Sequence, residues 1–460
     1  TTEIYTLSLH DALPISLQTM SKVLTTKRLT PFTAMTVFLL KGSCSPASSG
    51  NSGKNVQKII MTRKELRIGL FGYGCVGRGL HDVLENSRGI KAEIVRICVK
   101  DRSKERRLPM SFFTFDKNDI LNDSSINLVV ELINDPGEAF AIVKQAMENG
   151  KSVVTANKVM VATHLEELVR LQQENKVALL YEASAGASIP IIRNLEEYYD
   201  NELLHSLRGI LNGTTNYILT LMHNEGKDFA KALQEAQDKG FAEKDPGLDV
   251  DGWDAKYKLC IITAHAYGLF LDPDEVFHYG IGNISGYDIQ YAKEKGYKIK
   301  LVPYVGKTGE DTITGFVLPR FVSPDKYLYN VDHENNGVIT EAAFAEKQFF
   351  AGKGAGGHPT GSAVLSDISA NSYGYRYEYK KNMQGTVRKF TLDHKIEIYL
   401  RYHDERDRDL FRFSEVSEVY TNHRYSYVIG TVNLENLYRL RKDLGNMDVF
   451  LINTGRTVTG

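Results

Sequence analysis

From about residue 63 onward, short apolar runs alternate with stretches of helical periodicity. The runs are Leu66–Phe71, Glu93–Val99, Asn127–Ile133, Ser152–Thr155 and Ala178–Tyr181; Arg78–Leu84, Glu138–Asn149 and His164–Glu174 are the amphipathic stretches between them. Alternation at this spacing predicts parallel strands joined by right-handed crossovers. The N-terminal part, Arg63 to Glu182, therefore reads as an α/β Rossmann-type domain. Arg208–Leu211, Lys298–Val305, Thr312–Val317 and Tyr327–Val331 are strand candidates of a second, α+β domain with a mostly antiparallel sheet. From Lys395 the order is strand (Ile396–Tyr402), short helix (Leu410–Glu415), strands (Glu418–Tyr420, Tyr425–Val432), helix (Leu434–Leu440) and strand (Asp448–Ile452).

Residues 1–60 lack either periodicity and end in the Ser/Gly-rich stretch Ser43–Gly53. Their opening, Ile4 to Ile15, resembles translated adapter sequence, so the segment is expected to be non-native or unstructured, with Met61 the start. A targeting segment is the alternative, weakly suggested by Lys27 and Arg28 before a mildly apolar stretch.

Composition narrows the function classes. The chain has 460 residues, 42% of them hydrophobic and 25% charged, with a net charge of −1, so no global basic field is available to hold nucleic acid or an anionic membrane. No apolar run is long enough to span a bilayer. Cys44, Cys75, Cys98 and Cys260 are far apart and lack the paired spacing of a zinc site, which predicts reduced thiols in a cytoplasmic protein.

Gly72-Tyr73-Gly74-Cys75-Val76-Gly77 follows the first strand at once and opens a helix. In such a unit the first glycine makes the tight turn, the second admits a pyrophosphate close to the backbone, and the third lets helix and strand pack. Phosphate charge then meets free N–H groups at the helix start. The second strand ends in Lys100-Asp101-Arg102-Ser103-Lys104. An acidic residue here suits the ribose hydroxyl of NAD and a cation suits the phosphate of NADP. With Lys100 and Arg102 flanking Asp101, NADP(H) is expected to be preferred, with NAD(H) as the alternative.

Thr155-Ala156-Asn157-Lys158 ends another strand at the edge where such sheets bind ligands. Between Ala236 and Lys258, acidic groups recur at Glu243, Asp245, Asp249, Asp251 and Asp254 in a stretch kept irregular by Pro246 and several glycines. A helix beginning near Asp254 would carry Lys258 one turn further on the same face. The arrangement suits a cation held beside a carboxylate at the mouth of a cleft; an Asp-rich surface loop with a salt bridge is the simpler alternative. EF-hand calcium binding fails, because Pro246 interrupts the run and no glutamate follows in register.

The Ala236–Lys258 pattern resembles the signature of homoserine dehydrogenases. Tyr181–Ser184 leading to Ile189–Ile192, Gly209–Ile218 and Gly354–Thr360 agree with it, so the resemblance spans about Arg63 to Tyr373. It implies reversible reduction of L-aspartate 4-semialdehyde to L-homoserine with NAD(P)H, in threonine and methionine biosynthesis. Lys258 would be the acid/base, with Lys158 a second lysine at the nicotinamide–substrate junction, and two nearby cations would lower each other's pKa. Glu243, Asp254, Asp249 and Thr214 would form the substrate shell; Gly240, Asn134 and Gly356 would touch the cofactor. A sodium ion would be held by backbone carbonyls at Glu182, Ala185, Ala187 and Ile189. Two departures from the family's pattern, Ala185–Ser188 in a normally more Gly-rich run and Gly361 in place of alanine, bear on fine loop geometry.

The resemblance further implies residues 61–185 as the cofactor domain and 186–378 as a catalytic and dimerisation domain whose last helix returns to the cofactor domain. The chain is thus expected to form a homodimer or higher homo-oligomer. Residues 390–460 resemble a shortened ACT domain. The turn after its first strand, His403–Arg408, lacks the glycine usual where such domains bind an amino acid. Two rival readings remain at this point: an oxidoreductase for another amino-acid aldehyde, and a cofactor-binding sensor that has lost catalysis.

Overall fold

The computed structural model describes residues 63–458 apart from residues 202, 384 and 386; the expectations for residues 1–60, and for Cys44, lie outside them. Among the described residues no helix is long and apolar enough to cross a membrane.

Six strands form the first sheet: β1 (Leu66–Phe71), β2 (Ala92–Cys98), β3 (Phe113–Thr114), β4 (Leu128–Glu131), β5 (Ser152–Thr155) and β6 (Leu179–Leu180). All pair in parallel in the order β3-β2-β1-β4-β5-β6. That is the order of a dinucleotide-binding fold, reversing between β1 and β4. Strands β4 and β5 are buried on both faces, which explains their continuous apolar runs.

The second sheet is built from β7 (Leu204–Ile210), β8 (Phe277–His278), β9 (Lys298–Lys307), β10 (Thr312–Val322), β11 (Asn335–Ala342), β12 (Glu346–Lys353), β13 (Lys389–Phe390), β14 (Lys395–Tyr402), β15 (Glu415–Thr421), β16 (Ser426–Asn433) and β17 (Val449–Asn453). Its main path runs β12-β11-β7-β9-β10-β17-β14-β16-β15, with β8 and β13 also pairing β10. The C-terminal βαββαβ unit is thus continuous with the rest of this second sheet through Arg320 and Asn453.

Alternation along the C-terminal strands divides their side chains. Ile398, Leu400, Val449 and Leu451 face a core with Leu434 and Leu437, whereas Tyr399, Phe450 and Ile452 join the main core. A buried ion pair locks this docking: Arg401 Nε lies 3.2 Å and 3.1 Å from the two oxygens of Asp288.

Two expected elements differ. Tyr327–Asn330 is a 3₁₀ turn and not a strand; Leu328 is buried while Tyr327 stacks on Phe349 across 5.3 Å. The short C-terminal helix is Glu405–Leu410, ahead of the expected Leu410–Glu415, because Asp404 caps its start by accepting from Arg406 N at 2.8 Å.

The helix Gly357–Ser372 returns to the cofactor domain and packs on the helix Cys75–Glu85. Glycines permit the contact. A Cβ on Gly79 would lie 2.1 Å from the carbonyl oxygen of Gly357, and one on Gly361 would lie 2.6 Å from Leu80 N. Gly361, the departure from the family's alanine, is therefore part of a close helix crossing.

Candidate active site

The cofactor end is assembled where β1 meets its helix. Gly72 has φ +93°, and a Cβ there would meet the Leu132 carbonyl oxygen at 2.6 Å. A Cβ on Gly77 would meet the Gly72 oxygen at 2.4 Å, whereas one on Gly74 would meet nothing within 4 Å. The three positions thus divide into turn, open approach and tight packing, as a pyrophosphate cradle requires. No side chain caps the helix that begins at Cys75, so its first N–H groups point at the open side of the loop. Val76 is half-buried beside them.

Beyond the loop lies a cavity of about 720 Å³ lined by Tyr73, Lys100, Lys104, Arg106, Arg107 and Phe115, among others. Asp101 also lines it, but its Oδ1 accepts from Ser103 N at 2.8 Å and from Ser103 Oγ at 2.7 Å. Arg102 does not line it; the guanidinium lies over the Phe115 ring at 4.5 Å. Sequence reading missed Arg106 and Arg107, which lie just past the cation cluster it had noticed. Asn134 follows the cavity wall residue Ile133 and is exposed.

The reacting end is assembled by two helices. Lys158 is the first residue of the helix Lys158–Asn175, whose cap Asn157 accepts from Met160 N at 3.1 Å and donates to the Ile133 carbonyl at 3.1 Å. This helix packs on Trp253–Tyr267, which is buried almost all round. The second helix therefore carries its polar residues Asp254 and Lys258 into the interior, where each must find a partner.

They find each other. Lys158 Nζ lies 2.7 Å from Asp254 Oδ1 and Lys258 Nζ lies 2.8 Å from Asp254 Oδ2. Lys258 also donates to the Leu211 carbonyl at 2.7 Å. Asn212 donates to Asp254 Oδ2 at 2.9 Å and to Asp249 Oδ1 at 2.6 Å, tying the acidic loop to the helix. Asn212 lies within the Gly209–Ile218 stretch, and nothing in a lone asparagine signals that it bridges two carboxylates.

Burial opposes ionisation of Asp254, yet the ammonium groups of Lys158 and Lys258 outweigh it and hold the carboxyl well below the usual aspartate range. Burial first, and the Asp254 charge second, push Asp249 upward. The carboxylate of Asp254 raises the Lys158 pKa against an opposing effect of burial. For Lys158 this corrects the expected depression: the Asp254 carboxylate beside it raises its pKa instead.

Glu243 is exposed, makes no ion pair among the described residues, and adds to the field at Lys158. Thr214 is buried and its hydroxyl donates to the Phe241 carbonyl at 2.7 Å, holding the turn that contains Gly240 (φ +75°). Gly356 (φ +122°) starts the returning helix.

At the C-terminal end of β4, Glu131 is fully buried. It accepts from Thr155 Oγ1 and from Ile133 N, each at 2.6 Å. Desolvation pushes its carboxyl up to about 7.

The carbonyl-rich turn is also formed. Glu182 Oε1 and Oε2 accept from Ile192 N at 2.7 Å and Arg193 N at 2.9 Å. Ala187 takes φ +50°, and the loop folds so tightly that a Cβ on Gly186 would lie 2.4 Å from the Ile189 carbonyl oxygen. Ala185, Ala187 and Ile189 are buried, and among the described residues no cluster of three His, Cys, Asp or Glu side chains forms a metal site.

Residues 190–369 match the sequence model described as homoserine dehydrogenase, and residues 72–182 match the one described as homoserine dehydrogenase, NAD binding domain. A homoserine dehydrogenase of Synechocystis sp. is 37% identical over 313 residues, covering 66% of this chain and 72% of that protein. The chain belongs to the homoserine dehydrogenase family. The fold agrees: the crystal structure of a homoserine dehydrogenase from Thiobacillus denitrificans superposes with TM-score 0.74 at 30% identity, covering 85% of this chain and 98% of that one. A hyperthermophilic archaeal homoserine dehydrogenase in complex with NADPH superposes with TM-score 0.58 at 27% identity, covering 68% and 99%. Within the family frame, Lys158, Asp254 and Lys258 come from the two parts matched separately, so the site is complete only where those parts meet.

Proposed function

We propose that the Lys158–Asp254–Lys258 cluster carries out the reversible reduction of L-aspartate 4-semialdehyde to L-homoserine. The chain is an NAD(P)-dependent oxidoreductase acting on a CH–OH group, and the observation that carries the site assignment is the pair of ammonium groups held on one buried carboxylate. NADP(H), when bound, supplies the hydride. The cations Lys100, Lys104, Arg106 and Arg107 on the cavity wall support a cofactor that carries an extra phosphate, as the archaeal relative's does.

Lys258 is the proton donor. Its ammonium is fixed by Asp254 and the Leu211 carbonyl, leaving its third N–H for the aldehyde oxygen. As hydride reaches the carbonyl carbon, the oxygen gains electron density, is stabilised by that N–H, and takes the proton; the lysine then regains one from solvent. Lys158, half-buried and still protonated, adds a second positive charge beside the developing alkoxide. Both oxygens of Asp254 are occupied, which makes it the residue that positions the lysines. Exposed Glu243 is the carboxylate left to receive the substrate's α-ammonium, with Asp249 and Thr214 shaping the loop around it. A sodium ion on the carbonyls of Glu182, Ala185, Ala187 and Ile189 would rigidify that turn.

We read residues 61–185 as the cofactor domain, 186–378 as the catalytic and dimerisation domain, and 390–460 as an ACT-like unit whose strand order, 4-1-3-2 within itself, supports that reading. Homoserine-dependent reduction of NADP⁺ by the purified chain tests the assignment. Formation of reduced cofactor only when homoserine is present is expected. Its absence with homoserine, alongside turnover of another amino alcohol, would transfer the reading to a different aldehyde; cofactor binding without any turnover would leave a sensor.

A further inference from the structure

A second cavity, of about 480 Å³, lies on the far side of the catalytic helix, between it and the C-terminal unit. At its floor is Lys256, only 2% exposed. The side chain sits on the same helix as Asp254 and Lys258 but faces away from them. Its ammonium lies 3.8 Å from the centroid of the Trp253 ring and makes no hydrogen bond or ion pair among the described residues. His278 packs on the same indole, at 4.2 Å between ring centroids and tilted by 58°.

A buried ammonium with only a ring face for company is poorly compensated. Desolvation, the chief cause, brings its pKa down to about 8, and burial likewise brings His278 down to about 3, so the imidazole is neutral and offers no charge to Lys256. Arg441 and Lys442 of the C-terminal unit line the mouth, adding positive charge from the opposite wall. The acidic lining is Asp251 and Asp274, both exposed.

The walls are fixed from both sides. Tyr438 donates to the Asp274 carbonyl at 2.8 Å, and Arg441 donates to the Tyr438 carbonyl at 2.8 Å, which holds the C-terminal loop over the cavity. Ile281 N donates to the Val250 carbonyl at 2.7 Å, joining the cavity wall to the loop that bears Asp249.

We propose that this cavity binds a small organic carboxylate, whose anionic end is received by Lys256 while Arg441 and Lys442 close on it from the C-terminal unit. The volume suits a molecule of a few carbons beside ordered water. The exposed Asp251 and Asp274 at the rim disfavour a multiply charged anion such as phosphate and leave room for a carboxylate carrying a neutral or cationic substituent.

Trp253 is the only tryptophan in the chain, so its fluorescence reads this cavity directly. The full chain, without cofactor, is titrated at constant ionic strength with propionate, L-alanine, inorganic phosphate and, as the control, chloride. A saturable change with propionate or L-alanine, absent with chloride, is expected. Half-saturation should move up by at least ~10-fold in Lys256→Met, the scale of losing a charge-assisted hydrogen bond. The exposed double variant Arg441→Gln/Lys442→Gln, which touches no part of the reacting site, should also weaken binding and stays informative if Lys256→Met does not fold. No saturable response, a response to phosphate alone, or a response unchanged in Arg441→Gln/Lys442→Gln would each overturn the proposal.

Discussion

Lys158 and Lys258 hold opposite oxygens of one carboxylate, that of Asp254, at 2.7 Å and 2.8 Å. The geometry is asymmetric in solvent. Lys258 is buried and braced by the Leu211 carbonyl, whereas Lys158 is half-buried at the cofactor side. Lys258→Met should therefore lower kcat by at least ~10²-fold, the usual scale for a lost general acid. NADPH binding, measured by fluorescence titration, should survive. Near-normal kcat in this variant would remove Lys258 from the proton transfer.

Asp254→Asn removes the counter-charge of two lysines at once. The Asp254 pKa is depressed in the folded chain, so its stabilising contribution is fully present above the ordinary aspartate range, near 3.8, and is lost as pH falls below that value towards the folded pKa. The melting temperature of the unsubstituted chain should exceed that of Asp254→Asn at pH 6, and the gap should narrow on acidification below about 4. A gap independent of pH would mean that the carboxylate's charge contributes nothing.

The cofactor half was legible because its signals are local. Strand, glycine loop and helix are contiguous, and each glycine's task follows from backbone geometry that Gly72, Gly74 and Gly77 then display. The resemblance led to Lys158, Asp254 and Lys258, but the contact between the first and the others depends on packing of two helices far apart in sequence. The sign of the Lys158 shift is hidden for the same reason: proximity of two cations is foreseeable in sequence, while a single carboxylate placed between them is not. The hairpin β11–β12 escaped notice because β12 is polar and mostly exposed or half-buried, so it carries little of the apolar pattern that marks a strand. Tyr327–Val331 was misread as a strand because aromatic and β-branched residues there serve a buried turn.

Glu131 predicts the opposite pH trend from Asp254. Its folded pKa is raised to about 7, so the folded state keeps a proton that the unfolded chain has released near 4.5. Stability from this group is greatest below about 4.5 and falls as pH rises to about 7. The total is on the order of 3 kcal/mol. Glu131→Gln keeps an acceptor and a neutral side chain at the site. It should raise the melting temperature relative to the unsubstituted chain at pH 8 more than at pH 5. An equal effect at both pH values would place the Glu131 titration at its ordinary position.

Gly79→Ala tests the helix crossing that closes the returning helix on the cofactor domain. The new methyl would lie 2.1 Å from the Gly357 carbonyl oxygen, a contact that only backbone movement relieves. Overpacking of this kind costs about 1–3 kcal/mol or more. Because the same helix starts at the phosphate-binding loop, its displacement should also raise KM for NADPH. Chemical denaturation and steady-state kinetics measure the two effects; wild-type values in both would show that the helices can part without cost.

Arg106 gives the test of cofactor choice. It is half-buried beside the Phe113 ring, with its guanidinium 5.0 Å from the ring centroid, and it donates to the Lys104 carbonyl at 2.8 Å, which holds it on the cavity wall. Asp101 lines the same cavity, with its Oδ1 accepting from Ser103 N and Ser103 Oγ. A charge-assisted contact to phosphate contributes about 1.5–3 kcal/mol, or roughly 10- to 100-fold in affinity. Arg106→Leu should raise KM for NADPH on that scale while leaving KM for NADH and both kcat values near their starting points. Equal losses with the two cofactors would assign the residue to folding of the loop, and a loss confined to NADH would reverse the predicted preference.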